Sequence, residues 1–73
     1  MSSEIQAAYG LTTDGWTPTG LLRWLKNHDM QPIKRLHRNG TELRYRIRSP
    51  HLYARFRTKI LPNGVHLVLG FRR

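Results

Sequence analysis

The chain contains no cysteine. Disulfides and thiolate metal sites are thereby excluded, and packing and hydrogen bonding must stabilise a small domain without covalent help. Acids are also scarce. Four Asp and Glu stand against thirteen Lys and Arg, a formal net charge of +9. So few carboxylates, scattered along the chain, give two-metal nuclease chemistry little to stand on. No apolar run approaches the roughly 18 residues that a membrane-spanning helix needs. The opening residues, Met1-Ser2-Ser3-Glu4, lack the basic and apolar stretches of a signal peptide. Together with the missing cysteine this sets the expectation of a cytoplasmic protein. There is no phosphate-cradling glycine loop, no solenoid-type repeat and no low-complexity segment. The histidines, His28, His37, His51 and His66, form no pair at ligand spacing, so neither a structural zinc nor a cofactor is expected.

What the chain does have is positive charge in a regular pattern. Its 73 residues make one small basic domain, residues 1–73. Residues 1–30 hold three acids and two bases, whereas 31–73 hold eleven bases and only Glu42. An excess of this kind speaks of partners and solubility rather than of fold. Two stretches carry most of it. Leu43-Arg44-Tyr45-Arg46-Ile47-Arg48 alternates apolar and arginine without a break, and Ala54-Arg55-Phe56-Arg57-Thr58-Lys59-Ile60 repeats the pattern. A period of two places alternate side chains on opposite faces of a strand. If the two strands are neighbours over one core, Arg44, Arg46, Arg48, Arg55, Arg57 and Lys59 all point outward together. Like charges opposed on a sheet are destabilising, so such a surface implies an anionic partner. Arginine prevails over lysine there, which suits bidentate recognition of phosphate or carboxylate.

The rest of the chain supplies the frame. Thr17-Pro18 is a capping hydroxyl followed by proline at the first helical position. Leu21, Leu22, Trp24 and Leu25 then recur at helical spacing, which predicts a helix over about 18–28, closed before Pro32. Asn39-Gly40 and Pro62-Asn63-Gly64 are hairpin signals that join strands near 33–38 and 41–48, and near 52–61 and 65–71. Glu4–Tyr9 reads as a short helical turn, and residues 1–15 equally as a flexible arm. The expected fold is therefore α+β: one short helix on a four-stranded antiparallel meander, with an N-terminal arm or turn. Tyr45, Phe56 and Phe71 fall on the expected core face, and Tyr53 beside the arginines. Trp16 stands before the helix cap, either as a staple or as an exposed anchor for a partner. Arg72 and Arg73 extend the basic patch, and Lys34 and Arg35 lie near it. No defined catalytic set accompanies these residues, and the chain is expected to be a monomer that is not an enzyme. A His51-based RNA-cleaving toxin is the outlying reading.

Two resemblances add to this. The series Glu4–Leu11, Leu22-Arg23-Trp24-Leu25, Lys34-Arg35 and Arg44-Tyr45-Arg46 resembles an excisionase-like winged helix. There a first helix and a recognition helix precede a basic wing, and Arg23, Lys26 and the wing would meet DNA. The helix Pro18–His28 with the strands Leu43–Arg48, Ala54–Ile60 and Val65–Phe71 resembles, in length, charge and arrangement, the small RNA-polymerase-binding transcription regulators of Xanthomonas phage type. That resemblance implies a protein that docks on bacterial RNA polymerase, at an acidic surface or near the RNA exit, blocks initiation and promotes antitermination. It also leaves room for contact with an RNA or DNA backbone.

Overall fold

The computed structural model of the protein describes Ser3–Arg73. Met1 and Ser2, the start of the expected arm, lie outside the described residues. The order of elements is β1 (Ser3–Leu11), a 3-10 turn (Thr12–Asp14), α1 (Pro18–Asn27), β2 (His37–Asn39), β3 (Glu42–Arg46), a second 3-10 turn (Pro50–Leu52), β4 (Tyr53–Ile60) and β5 (His66–Arg72). Among the described residues the fold is α+β with a single α-helix, as the sequence predicts, but the antiparallel sheet has five strands, in the order β2-β3-β1-β5-β4.

The helix begins where local chemistry places it. The Thr17 side chain accepts a hydrogen bond from the Gly20 amide at 3.0 Å, and Pro18 opens the first turn. Leu21 and Leu25 are fully buried in one core with Ala8, Leu43, Tyr45 and Leu67 of the sheet and with Ile47 and Val65 beside it. Burial of each of these two leucines is worth about 2 kcal/mol. Both hairpins form at the expected turns, with Asn39 opposite Glu42 and Ile60 opposite His66. Gly40 and Gly64 supply the positive φ, 61° and 90°, that the turns need. Strand β2 is shorter than expected. Before it, a bond from the Ile33 amide to the Arg46 carbonyl, 2.8 Å, ties the chain at residue 33 beside the end of β3.

The N-terminal segment is where expectation fails. Ser3–Leu11 is neither a helical turn nor an arm but the central strand, hydrogen-bonded to β3 on one side and β5 on the other. The meander is therefore interrupted, and the two arginine-rich strands are separated by β1 and β5. Small residues make this position possible. Ala7 and Ala8 are buried, and a Cβ on Gly10 would lie 2.8 Å from Cγ of Trp16. Gln6 is the extra residue of a bulge between Ile5 and Ala7. Its carbonyl accepts from the Ile47 and Arg48 amides, and its side-chain amide donates to the Arg48 carbonyl at 2.9 Å. A strand at 3–11 also removes the first helix that the winged-helix resemblance requires. No helix among the described residues is long and apolar enough to cross a membrane.

Candidate anion-binding site

One face of the sheet lies under α1; the other is open. Register decides which side chains share each face. Ala8 pairs with Tyr45 and with Leu67, both in the core, so this is the helix side. Leu67, Leu69 and Phe71 in turn oppose Lys59, Arg57 and Arg55. The basic row of β4 therefore lies on the helix side, beyond the cover that α1 gives, and all three residues are exposed. Arg44 and Arg46 alternate with the buried Leu43, Tyr45 and Ile47 and lie on the open face. The single basic surface expected from the two alternating stretches does not exist: its halves occupy opposite faces of the sheet. The physical reason is that β4 is an edge strand. Both of its faces meet solvent, so alternation there does not report which side is the core. Phe56 and Ile60, expected inside, are 46 % and 66 % exposed on the open face.

The open face gathers a different cluster. Arg44 and Arg46 form the floor of a groove of about 530 Å³ whose lining also includes Lys34, Arg35, His37 and Glu42. His37 is in register with Arg44, so β2 contributes its imidazole to the same face. The Ile33–Arg46 bond sets Lys34 and Arg35 at the rim. Four cations thus converge on a concavity that contains one carboxylate. That carboxylate belongs to Glu42, which accepts from Arg44 Nε at 2.8 Å. The Arg44 guanidinium also sits 4.9 Å from the ring centroid of Tyr9, and Tyr9 stacks on His66 at 4.5 Å and 10°. Arg44 is held in place from two sides, whereas Lys34, Arg35 and Arg46 form no salt bridge among the described residues. An oriented guanidinium surrounded by unpaired cations is suited to phosphate or carboxylate oxygens.

The other expected site residues have separate fates. Arg48 donates to the Ile5 carbonyl at 2.8 Å and helps fix the end of β1. Arg72 donates through Nε to Glu4 at 2.8 Å. Tyr53, expected beside the arginines at the surface, is 2 % exposed and donates its hydroxyl to the same Glu4 oxygen at 3.0 Å. Bonds from Arg72 and then Tyr53 hold the Glu4 carboxyl below its ordinary range. Burial, followed by the bond to Glu4, raises the Tyr53 phenol, and the bond to Glu4 raises Arg72. Arg73 is exposed past the end of β5. Trp16 is half-buried and serves the fold. It packs against the core, and its indole donates to the Asn63 carbonyl at 3.2 Å, joining the helix entry to the β4–β5 turn. His51 is exposed in the 3-10 turn. Among the described residues no group of three or more His, Asp or Glu could hold a metal ion.

Tyr9, His37, Glu42 and His66 belong to the groove or its support, and sequence reasoning did not select them. With β1 read as an arm, no signal placed Tyr9 next to an arginine. No protein-family model, curated protein or solved structure matches the chain.

Proposed function

We propose that the protein is a non-enzymatic regulator of transcription that docks on bacterial RNA polymerase in the host cytoplasm. Its Lys34–Arg35–Arg44–Arg46 groove is the contact surface, and it acts by occupying an acidic surface, or the nucleic-acid path near the RNA exit, that initiation or termination requires. The observation that carries the anionic part of this reading is the convergence of four cations, one of them pre-oriented by Glu42 and Tyr9, in one concavity. The resemblance in length, charge and helix-and-strand arrangement gives the partner its name. A groove of this kind also steers an acidic partner toward it at modest ionic strength.

The test is affinity capture from nuclease-treated bacterial lysate by the tagged protein and by a variant with Lys34→Glu, Arg35→Glu and Arg46→Glu. Recovery of stoichiometric polymerase subunits by the first and not by the second supports the reading. Recovery of no specific protein, with polynucleotide bound only when nuclease is omitted, replaces polymerase with a phosphate backbone as the ligand of the groove.

A further inference from the structure

At the opposite edge of the sheet from the groove, β4 has a neighbour on one side only among the described residues, β5. Every residue from Ala54 to Ile60 is exposed. The other edge, β2, is only three residues long, whereas β4 has eight. Long, uncovered edges are unusual because they are templates for another strand.

The backbone of β4 is not neutral about where a strand would pair. The Leu61 amide donates to the Val65 carbonyl at 2.8 Å. In an antiparallel ladder, residues alternate between exchanging bonds with the partner and turning both backbone groups away from it. Counting back from Leu61, Lys59, Arg57 and Arg55 direct their amides and carbonyls to β5. Phe56, Thr58 and Ile60 direct theirs to the empty side. The side chains sort by the same parity. Arg55, Arg57 and Lys59 share the face of Leu67, Leu69 and Phe71, and Phe56, Thr58 and Ile60 share that of His66, Val68 and Gly70. One edge therefore offers free hydrogen-bonding groups, a row of three cations on one face and two exposed apolar side chains on the other.

We propose that β4 is a docking edge for an extended acidic segment of another protein, a segment in which carboxylates alternate with apolar residues. An added strand alternates just as β4 does. Its carboxylates fall in the non-hydrogen-bonded positions opposite Arg55, Arg57 and Lys59, where cross-strand side chains approach most closely. Its apolar residues fall beside Phe56 and Ile60. Backbone bonds supply affinity and the two side-chain rows supply selectivity. A second copy of the chain fits less well. Antiparallel pairing about a two-fold axis keeps faces together and sets the cation row of one copy against that of the other, which is repulsive. A polynucleotide meets the charges but makes no use of the backbone edge or of Phe56 and Ile60. This site is separate from the groove of the preceding subsection and stands whether or not that groove binds polymerase.

The experiment uses the full chain and a short synthetic peptide alternating glutamate and valine, with a peptide of equal composition in which the glutamates precede the valines as control. Binding is read by fluorescence anisotropy, and amide exchange by NMR. The alternating peptide is expected to bind saturably and to slow exchange at Phe56, Thr58 and Ile60. Thr58→Pro removes a free edge amide without breaking a β4–β5 bond, a placement that edge strands tolerate, and is expected to weaken binding at least about tenfold. Arg57→Glu, which keeps every backbone group, is expected to weaken it by about the same factor. Equal binding of the two peptides, or unchanged exchange at the three edge amides, overturns the proposal in favour of unspecific charge attraction. So does a dimer in light scattering that Thr58→Pro dissolves, since the edge then belongs to a second copy. An oligonucleotide that displaces nothing at β4 is expected; one that protects the same three amides overturns the proposal.

Discussion

The ring of Tyr53 lies so close over Gly70 that a Cβ on that glycine would sit 2.5 Å from the ring's Cγ. The contact crosses from β4 to β5 on the open face and lets the Tyr53 hydroxyl reach Glu4 on β1 at 3.0 Å. One aromatic side chain thus fastens the edge strand to the central strand. Gly70→Ala forces the ring or the strand to move. A loss of about 1–3 kcal/mol is expected, the usual cost of overpacking, measured as the free energy of unfolding in urea. Unchanged stability would mean that Tyr53 is not clamped.

The same cluster makes stability depend on acid. Glu4 is held below its ordinary value of 4.5 by its bonds from Arg72 and Tyr53. A depressed carboxylate contributes stability that is fully present above 4.5 and is lost as pH falls through its lower value in the fold. The gap in unfolding midpoint between the wild type and Glu4→Gln is therefore expected to be constant near neutrality and to close in acid below pH 4.5. Paired thermal melts across that range check it. A gap that widens in acid would reverse the sign and contradict the account.

Trp16 distinguishes a structural from an interfacial residue. It packs on Gly10 and donates to the Asn63 carbonyl. Trp16→Ala is expected to destabilise the domain by about 2–3 kcal/mol, less than the about 3–5 kcal/mol of a fully buried tryptophan because this one is only half-buried. Trp16→Phe keeps most of the packing and loses the indole bond, at about 1 kcal/mol. Both variants, where folded, are expected to bind the partner with wild-type affinity. A large loss of affinity in a stably folded Trp16→Phe would return the residue to the interface.

Arg44 differs from its neighbours in being oriented. Glu42 and the Tyr9 ring hold its guanidinium, at 2.8 Å and 4.9 Å. Glu42→Gln keeps an oxygen that can accept from Arg44 Nε and so keeps its orientation, but removes the one carboxylate lining the groove; it is expected to leave the fold intact and to strengthen anion binding a few-fold. Titration with a short oligonucleotide or a glutamate-rich peptide at two salt concentrations measures this, and the gain should shrink in high salt.

The sequence made some of this legible and hid the rest for physical reasons. The helix could be read because Thr17 and Pro18 start it by local chemistry and Leu21, Leu22, Trp24 and Leu25 form one stripe. The hairpins could be read because Asn39-Gly40 and Asn63-Gly64 are local turn signals. Strand β1 could not. Its stretch Gln6-Ala7-Ala8-Tyr9-Gly10 shows no clean alternation and contains residues of low strand preference, and its partners lie far along the chain. The faces of the arginine rows followed from that omission. Without β1 between them, the two basic strands looked adjacent, and an edge strand with two wet faces offers no clue to its orientation. Arg44 and Arg46 were visible as candidate site residues, and so were Lys34 and Arg35. Their union in one groove depends on the Ile33–Arg46 bond, which no local pattern announces.

In the proposed function, anion recognition belongs to the groove and not to all the cations alike. The direct measurement is the affinity for purified bacterial RNA polymerase of two charge-reversed proteins of equal net charge. One carries glutamate at Lys34, Arg35 and Arg46, the other at Arg55, Arg57 and Lys59. The first is expected to lose at least about a hundredfold in affinity and the second to remain within about twofold of wild type. Equal losses in both would show that charge alone drives binding, and a loss confined to the second would place the site on β4 and contradict the account.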